Sequence, residues 1–287
     1  MAGKYDKQLA KYNSILSKNP QDPNTLSILA RIALKEGRID DAEHYYNVIL
    51  SNNPDYPEAL YMIGFLYMKK NKYNDALPYF TKLLNNGKEN AFIYEYLSVM
   101  DKENRRKYLE KALEISRNIK IIPKDYKRCA YIAFQSYAWK EYDISLEYAN
   151  FAYDAKPTND IINLLGCLYH NNADYDKALS LFHEANANYE GKNSYILCNI
   201  SSCYRNKNSN KMAIRYLEKA LEVNSNDKLI YYNMGSIYAS IGNRKLAIEN
   251  FEQALKIDNN YEEAKKALES IKDWYFIIKK WIKNFQY

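Results

Sequence analysis

Glycine and proline are scarce in this sequence, which has 8 glycines and 7 prolines among its 287 residues. A fold rich in β-turns would need more of both. Disordered chains lack apolar residues, whereas 47% of this chain is hydrophobic and 26% is charged. The composition therefore predicts a largely helical chain with enough apolar side chains to form a core.

Recognisable catalytic patterns are also missing. The three histidines, His44, His170 and His183, lack the spacing of a metal site or of a base beside a nucleophile. No phosphate-binding, dinucleotide-binding or hydrolase motif occurs in the sequence. Adjacent carboxylates such as Glu262 and Glu263 fall in predicted first helical turns, where negative charge suits the helix dipole. We therefore predict a protein that is not an enzyme, with no catalytic residue, metal ion or cofactor.

Signals for export and membrane insertion are lacking as well. Polar residues follow the first methionine, and no apolar run approaches the roughly 20 residues that span a bilayer. The four cysteines lie in apolar helical patterns without C-x-x-C spacing, which is typical of reduced, buried thiols. The 41 basic residues are interleaved with 35 acidic ones, so the net charge of +6 forms no basic stripe. These features predict a cytoplasmic protein with no nucleic-acid partner.

A series of small and aromatic residues recurs along the chain. The last member of each series is one of eight residues: Ile15, Ile49, Leu83, Ala112, Ala152, Ala185, Ala220 and Ala254. The steps between them are 34, 34, 29, 40, 33, 35 and 34 residues. Such a period is typical of stacked helical repeats.

Three glycines within this pattern, Gly64, Gly166 and Gly235, fall in the middle of predicted helices. Glycine costs roughly 1 kcal/mol relative to alanine in a helix, so a recurrent glycine indicates that a neighbouring helix passes too close for a Cβ. A tyrosine follows each glycine three residues later, one helical turn along the same face. Prolines such as Pro20 and Pro54 fall at the predicted helix ends.

With its glycine, tyrosine, alanine, aromatic and proline positions at this period, the sequence resembles the tetratricopeptide repeat (TPR) family over residues 6–272. Pentatricopeptide proteins have a similar period, but the glycine and tyrosine pattern favours the TPR. The resemblance implies an all-α fold, a right-handed superhelical solenoid of antiparallel helix pairs. About seven repeats are expected, with an N-terminal half-repeat helix and a C-terminal capping helix.

The regular period is interrupted once, by the steps of 29 and 40 residues. We therefore divide the chain into N-terminal repeats (1–118), a connector (119–125), C-terminal repeats (126–260) and a C-terminal segment (261–287). A harmless insertion is the favoured interpretation of the connector, because loops tolerate changes in length at little cost. A hinge is the alternative.

The resemblance also implies a partner surface, because first helices line a concave groove in this family. Projection of their faces predicts the groove residues Arg31, Tyr61, Phe65, Phe134, Tyr137, Asn163, His170, Tyr195, Asn199, Arg205, Tyr232, Asn233 and Ser236, together with Ser27, Cys167 and Ser202. Tyrosine and arginine often dominate the energy of protein interfaces. We predict that this groove binds a peptide or protein partner and that the chain acts as an interaction scaffold or adaptor.

Asn199 and Asn233 lie 34 residues apart and are both expected to face the groove. A side-chain amide donates and accepts, so two such groups can clasp a peptide backbone. The arrangement is similar to the asparagine ladder in the TPR domain of O-linked N-acetylglucosamine transferases. The alternative, two amides satisfied by local bonds or by water, stays open.

The end of the chain departs from the repeat. Trp274, Ile277, Ile278, Trp281 and Phe285 share one stripe of a predicted helix that also carries lysines. The favoured interpretation is a cap over the last repeat, because an uncovered end would leave apolar surface in water. The alternatives are attachment to a membrane surface, which would make the protein a peripheral membrane adaptor, and self-association.

Overall fold

The computed structural model describes residues 5–118 and 126–271. The chain forms two compact units, unit 1 (residues 1–122) and unit 2 (residues 123–287). The connector predicted at residues 119–125, and the hinge considered there, lie outside the described residues.

All regular structure in the described ranges is helical. Unit 1 contains α1 (Asp6–Leu16), α2 (Pro23–Lys35), α3 (Ile39–Asn52), α4 (Pro57–Lys69), α5 (Tyr73–Asn85), α6 (Ala91–Met100) and α7 (Arg105–Asn118). Unit 2 contains α8 (Tyr126–Ala138), α9 (Tyr142–Ala155), α10 (Asn159–Asn171), α11 (Tyr175–Asn188), α12 (Ser194–Asn206), α13 (Asn210–Val223), α14 (Lys228–Ser240), α15 (Arg244–Ile257) and α16, described over 262–271. From α2 to α15 the even-numbered helices are the first helices of the pairs and the odd-numbered ones the second. The predicted all-α helical repeat is confirmed.

Side-chain caps start many of the first helices. The carboxylate of Asp22 accepts a hydrogen bond from the backbone N–H of Thr25 at 2.9 Å, and Pro23 occupies the first helical turn of α2. The side-chain oxygen of Asn193 caps α12 in the same way, and that of Asp227 caps α14. A cap of this kind stabilises a helix by about 1 kcal/mol.

Every first helix except α6 is followed, two residues after its end, by a residue in the left-handed backbone region. These residues are Gly37, Asn71, Lys140, Ala173, Asn208 and Gly242, with φ between 57° and 79°. In each case the next backbone N–H reaches back to a carbonyl of the helix, as in the 2.9 Å bond from Asn243 to Tyr238. This is the hydrogen-bond pattern of a Schellman cap, and it turns the chain sharply into the second helix.

The irregular third repeat lacks this cap. Helix α6 begins 34 residues after the start of α4, which is one regular repeat length. It has 10 residues, whereas α4 has 13. After it, the Asp101 carboxylate accepts from the backbone N–H groups of Glu103 and Asn104 at 3.1 and 3.2 Å. The repeat is therefore shortened at the end of its first helix, and a turn built on Asp101 replaces the left-handed residue.

The core of each repeat alternates small and large side chains. Three mid-helix glycines lie against aromatic rings sixteen residues later in the chain, in the pairs Gly64 with Phe80, Gly166 with Phe182 and Gly235 with Phe251. A Cβ at these glycines would come within 2.9, 2.5 and 2.8 Å of the ring. The close approach predicted from the recurrent glycines is confirmed, and it brings the first and second helices of a pair together.

Candidate functional site

First helices of unit 2 carry a row of partly accessible side chains that we call the inner face. It comprises Phe134 and Tyr137 of α8, Asn163, Cys167 and His170 of α10, Tyr195, Cys198, Asn199, Ser202 and Arg205 of α12, and Tyr232, Asn233 and Ser236 of α14. Two aromatic side chains are unusually accessible, Tyr195 at 62% and Phe134 at 41%. The other members except Arg205, which is exposed, are half-buried.

Six of the predicted groove residues meet around a single cavity of about 130 Å³. We call it the α10–α12 cavity, and it is lined by Tyr137, Cys167, His170, Asn171, Phe182, Tyr195, Asn199 and Ser202. Phe182 is the buried ring that also packs on Gly166. The cavity is open to solvent beside Tyr195.

His170 is held by hydrogen bonds on one side of this cavity. Its Nε2 atom lies 2.9 Å from the amide Nδ2 of Asn206 and 3.2 Å from the hydroxyl of Ser202. With the amide N–H of Asn206 as donor, Nε2 accepts, which fits a neutral ring. Burial lowers the pKa of His170; a hydrogen bond with Asn171 opposes this shift, and the positive charge of Arg205 adds to it.

Asn199 does not present a free amide to a ligand. Its Nδ2 donates to Oδ1 of Asn163, one repeat earlier, at 3.1 Å and lies 3.8 Å from Sγ of Cys167. Asn233 differs from it, because no hydrogen-bond partner for its side chain occurs within the described residues. Asn233 instead lines a small space of about 40 Å³ together with Cys198, Ser202 and Arg205. The two asparagines of the proposed ladder therefore have different surroundings.

Charge is sparse on the inner face, where Arg205 is the one ionised side chain. Burial raises the pKa of the Cys167 thiol to about 11 and that of Cys198 to about 12, so both are neutral thiols near pH 7. In the described part of the chain, Arg205 forms no ion pair. The inner face is thus a mildly positive, mostly uncharged surface of rings, amides and hydroxyls.

The remaining predicted residues of unit 2 do not line this cavity. Tyr232 packs against Phe251 and Tyr261, with ring centroids 5.7 and 5.3 Å apart. Ser236 bonds to the carbonyl of Tyr232 in its own helix at 2.9 Å. The contact with Tyr261, which directly precedes α16, helps to hold that helix against the last complete repeat.

Predicted groove residues of unit 1 form a separate aromatic group. The hydroxyl of Tyr61 lies 3.4 Å from that of Tyr96, and the ring of Phe65 lies 6.0 Å from the same Tyr96. Arg31 is exposed and approaches the Glu58 carboxylate at 3.6 Å. Ser27 was expected on the same surface, and this expectation is wrong: it is only 2% exposed, because so short a side chain does not reach past its larger neighbours.

Four contributors to the inner-face site were not identified from the sequence. Cys198 lines the small space beside Asn233, Asn171 and Phe182 line the α10–α12 cavity, and Asn206 hydrogen-bonds to His170. The glycine pattern carried a signal for Phe182, since it lies sixteen residues after Gly166. No comparable signal marked the two asparagines, which follow the ends of the groove-facing stripes of α10 and α12.

The predicted apolar stripe near the C-terminus lies outside the described residues. It comprises Trp274, Ile277, Ile278, Trp281 and Phe285. In residues 5–118 and 126–271, no cluster of three or more His, Cys, Asp or Glu side chains is placed to hold a metal ion. Across these same ranges, the helices are too short or too polar to cross a bilayer.

Two family models, both described as tetratricopeptide repeat, match this chain. One matches residues 194–227 and 229–261, and the other residues 1–59 and 33–91, so that together they cover just over half of the sequence. Neither describes a catalytic domain. No curated protein matches the sequence.

Solved structures with a similar backbone fold have low sequence identity to this chain. One is Cut9-Hcn1, an APC/C hetero-tetramer, with 16% identity, a TM-score of 0.47 and coverage of 93% of this chain but 46% of the other. A tetratricopeptide repeat protein from Parabacteroides merdae ATCC 43184 has 16% identity, a TM-score of 0.45 and coverage of 87% and 98%. YrrB, a TPR protein with an unusual peptide-binding site, has 17% identity, a TM-score of 0.37 and coverage of 90% and 97%. The chain spans less than half the length of the first of these proteins.

Proposed function

Because the chain belongs to the tetratricopeptide repeat family, we propose that it is a non-catalytic adaptor that binds a segment of another protein on the inner face of unit 2. The observation that carries this proposal is the α10–α12 cavity with the exposed ring of Tyr195 beside it. Large aromatic side chains at the rim of an open cavity are typical of protein-binding sites, where they bury area at low entropic cost.

The composition of the inner face supports an extended peptide as ligand. Hydroxyl and amide groups alternate with rings along α10, α12 and α14, and Arg205 is the one formal charge. Such a surface hydrogen-bonds a peptide backbone and packs against its side chains, while offering little to a polyanion. A protein segment fits this chemistry better than a nucleic acid does.

Site-specific photo-crosslinking in the cells of origin tests the proposal. A photoreactive phenylalanine analogue replaces Tyr195 or Phe134 on the inner face, and in matched controls it replaces Lys219 or Glu184, which are exposed on second helices. We expect protein crosslinks from the two inner-face positions and none of the same products from the controls. Products that form equally from Lys219 and Glu184, or none from Tyr195 and Phe134, would reject the inner face as the binding surface.

A further inference from the structure

The α10–α12 cavity has the size of one apolar side chain. Its volume of about 130 Å³ is close to the roughly 150 Å³ of an engineered apolar cavity that holds a benzene molecule. Leucine, methionine and phenylalanine side chains fall in this range. A tryptophan is too large for the space, and an alanine would leave most of it unfilled.

The lining of the cavity disfavours a charged occupant. The rings of Tyr137, Phe182 and Tyr195 form much of its wall. Two of its polar side chains already have partners: Ser202 lies 3.2 Å from His170, and the Asn199 amide N–H donates to Asn163 at 3.1 Å. An ionised side chain entering here would lose its hydration without gaining a charged partner, which is costly. The cavity therefore selects an uncharged, apolar group.

A second feature adjoins the cavity on α12. Arg205 lies one helical turn beyond Ser202, a rise of about 5 Å, and both line the neighbouring space with Asn233. Arg205 is exposed, and its charge is felt at the His170 ring. No carboxylate of the described residues pairs with it, so an incoming carboxylate finds its guanidinium available. Charge complementarity thus favours an acidic residue beside the apolar one.

Taken with the proposed function, on which this inference rests, the geometry leads us to propose that the inner face of unit 2 recognises a two-part motif. One part is a leucine, methionine or phenylalanine side chain seated in the α10–α12 cavity. The other is an aspartate or glutamate within about two positions of it, bound by Arg205, since an extended chain advances about 3.3 Å per residue. Tyr195, Ser202 and Arg205 are then the residues that determine specificity.

The test begins with selection from a random peptide library on the immobilised full chain, followed by anisotropy titrations with the enriched peptide. We expect the enriched sequences to share a leucine, methionine or phenylalanine with an acidic residue close by. Replacing the apolar residue with alanine, or the acidic one with lysine, is expected to weaken binding by about tenfold each.

Matched variants of the protein locate the two contacts. Tyr195→Ala removes an exposed wall of the cavity with little risk to folding. Leu229→Ala truncates the exposed apolar side chain 34 residues later, which does not line the cavity, and is its control. Ser202→Phe fills the cavity, and Ser180→Phe, at an exposed position on the second helix α11, is its control. We expect about tenfold weaker binding for Tyr195→Ala and Ser202→Phe, and less than about twofold change for the two controls.

Arg205→Glu should weaken binding of the acidic peptide and restore binding of the peptide whose acid is replaced by lysine. Arg215→Glu, on the second helix α13, is its control and should change neither. If peptides bind and crosslink at Tyr195 but Ser202→Phe and Arg205→Glu bind them normally, the motif is overturned while the proposed function stands. If no enriched peptide depends on any inner-face residue, both are overturned.

Discussion

Gly166 lies so close to the ring of Phe182 that a Cβ on the glycine would come 2.5 Å from Cε1 of that ring. Phe182 is 1% exposed and packed on several sides, so it has little room to move away. The same approach is slightly looser at Gly64 and Gly235, at 2.9 and 2.8 Å. The packing of a first helix on its second helix therefore depends on a missing methyl group.

We expect Gly166→Ala to lower the free energy of unfolding by roughly 2 kcal/mol, because overpacking at so short a distance costs about 3 kcal/mol and the gain in helix propensity is about 1 kcal/mol. Urea unfolding measures this change. The sixth repeat has Ser201 and Leu217 at the equivalent spacing. The double variant Gly166→Ser with Phe182→Leu copies that pair, so it should lose less stability than the sum of its single changes. A Gly166→Ala protein as stable as the parent would contradict the close packing.

Asn199 and Asn233 allow a second comparison at matched positions. Asn199→Ala removes the 3.1 Å bond to Asn163, so we expect a loss of about 1 kcal/mol in stability. Asn233→Ala removes an amide without a hydrogen-bond partner in the described structure, and its unfolding free energy should stay within about 0.5 kcal/mol of the parent. Thermal or urea unfolding of both variants decides the matter. Equal losses, or a larger loss for Asn233→Ala, would show that the Asn163 contact is not structural.

His170 makes stability depend on pH. Burial lowers its pKa below the ordinary value, so the unfolded chain takes up a proton at a higher pH than the folded chain does. The contribution of the neutral His170 ring to the free energy of unfolding is complete above pH about 6.5. It is lost as the pH falls through the pKa of this histidine in the folded protein. We expect unfolding free energy to decrease between pH 7 and pH 5, and His170→Gln to reduce this dependence. His44→Gln, at an exposed site on α3, is the control; equal slopes for His170→Gln and the parent would refute the assignment.

Much of the fold could be predicted from the sequence because small residues, aromatics and prolines repeat in positions fixed by close packing. The left-handed turns were harder to predict from the sequence. Glycine at Gly37 and Gly242 signals such a backbone, but Lys140 and Ala173 adopt it without being residues that favour it. There the conformation is imposed by the helices on either side, which place the turn whatever its side chain.

The candidate site could be predicted only in part, for a geometric reason. Helical spacing predicts that Tyr195, Asn199 and Ser202 share a face, and in the structure all three line the same cavity. It does not give the offset between successive first helices. That offset decides that Asn199 meets Asn163, 36 residues earlier, and that Ser202 meets His170, 32 residues earlier. The polar groups that remain available to a ligand could therefore be identified only from the structure.

Within each unit, the helices pack mainly on those that precede and follow them in the chain. Few contacts join distant parts of the sequence, so little loop-closure entropy opposes their formation, and such topologies fold quickly. During synthesis on the ribosome, a helix pair can dock on the preceding pair soon after it emerges, without waiting for the C-terminus. Apolar faces are then exposed only briefly, which limits aggregation of the nascent chain.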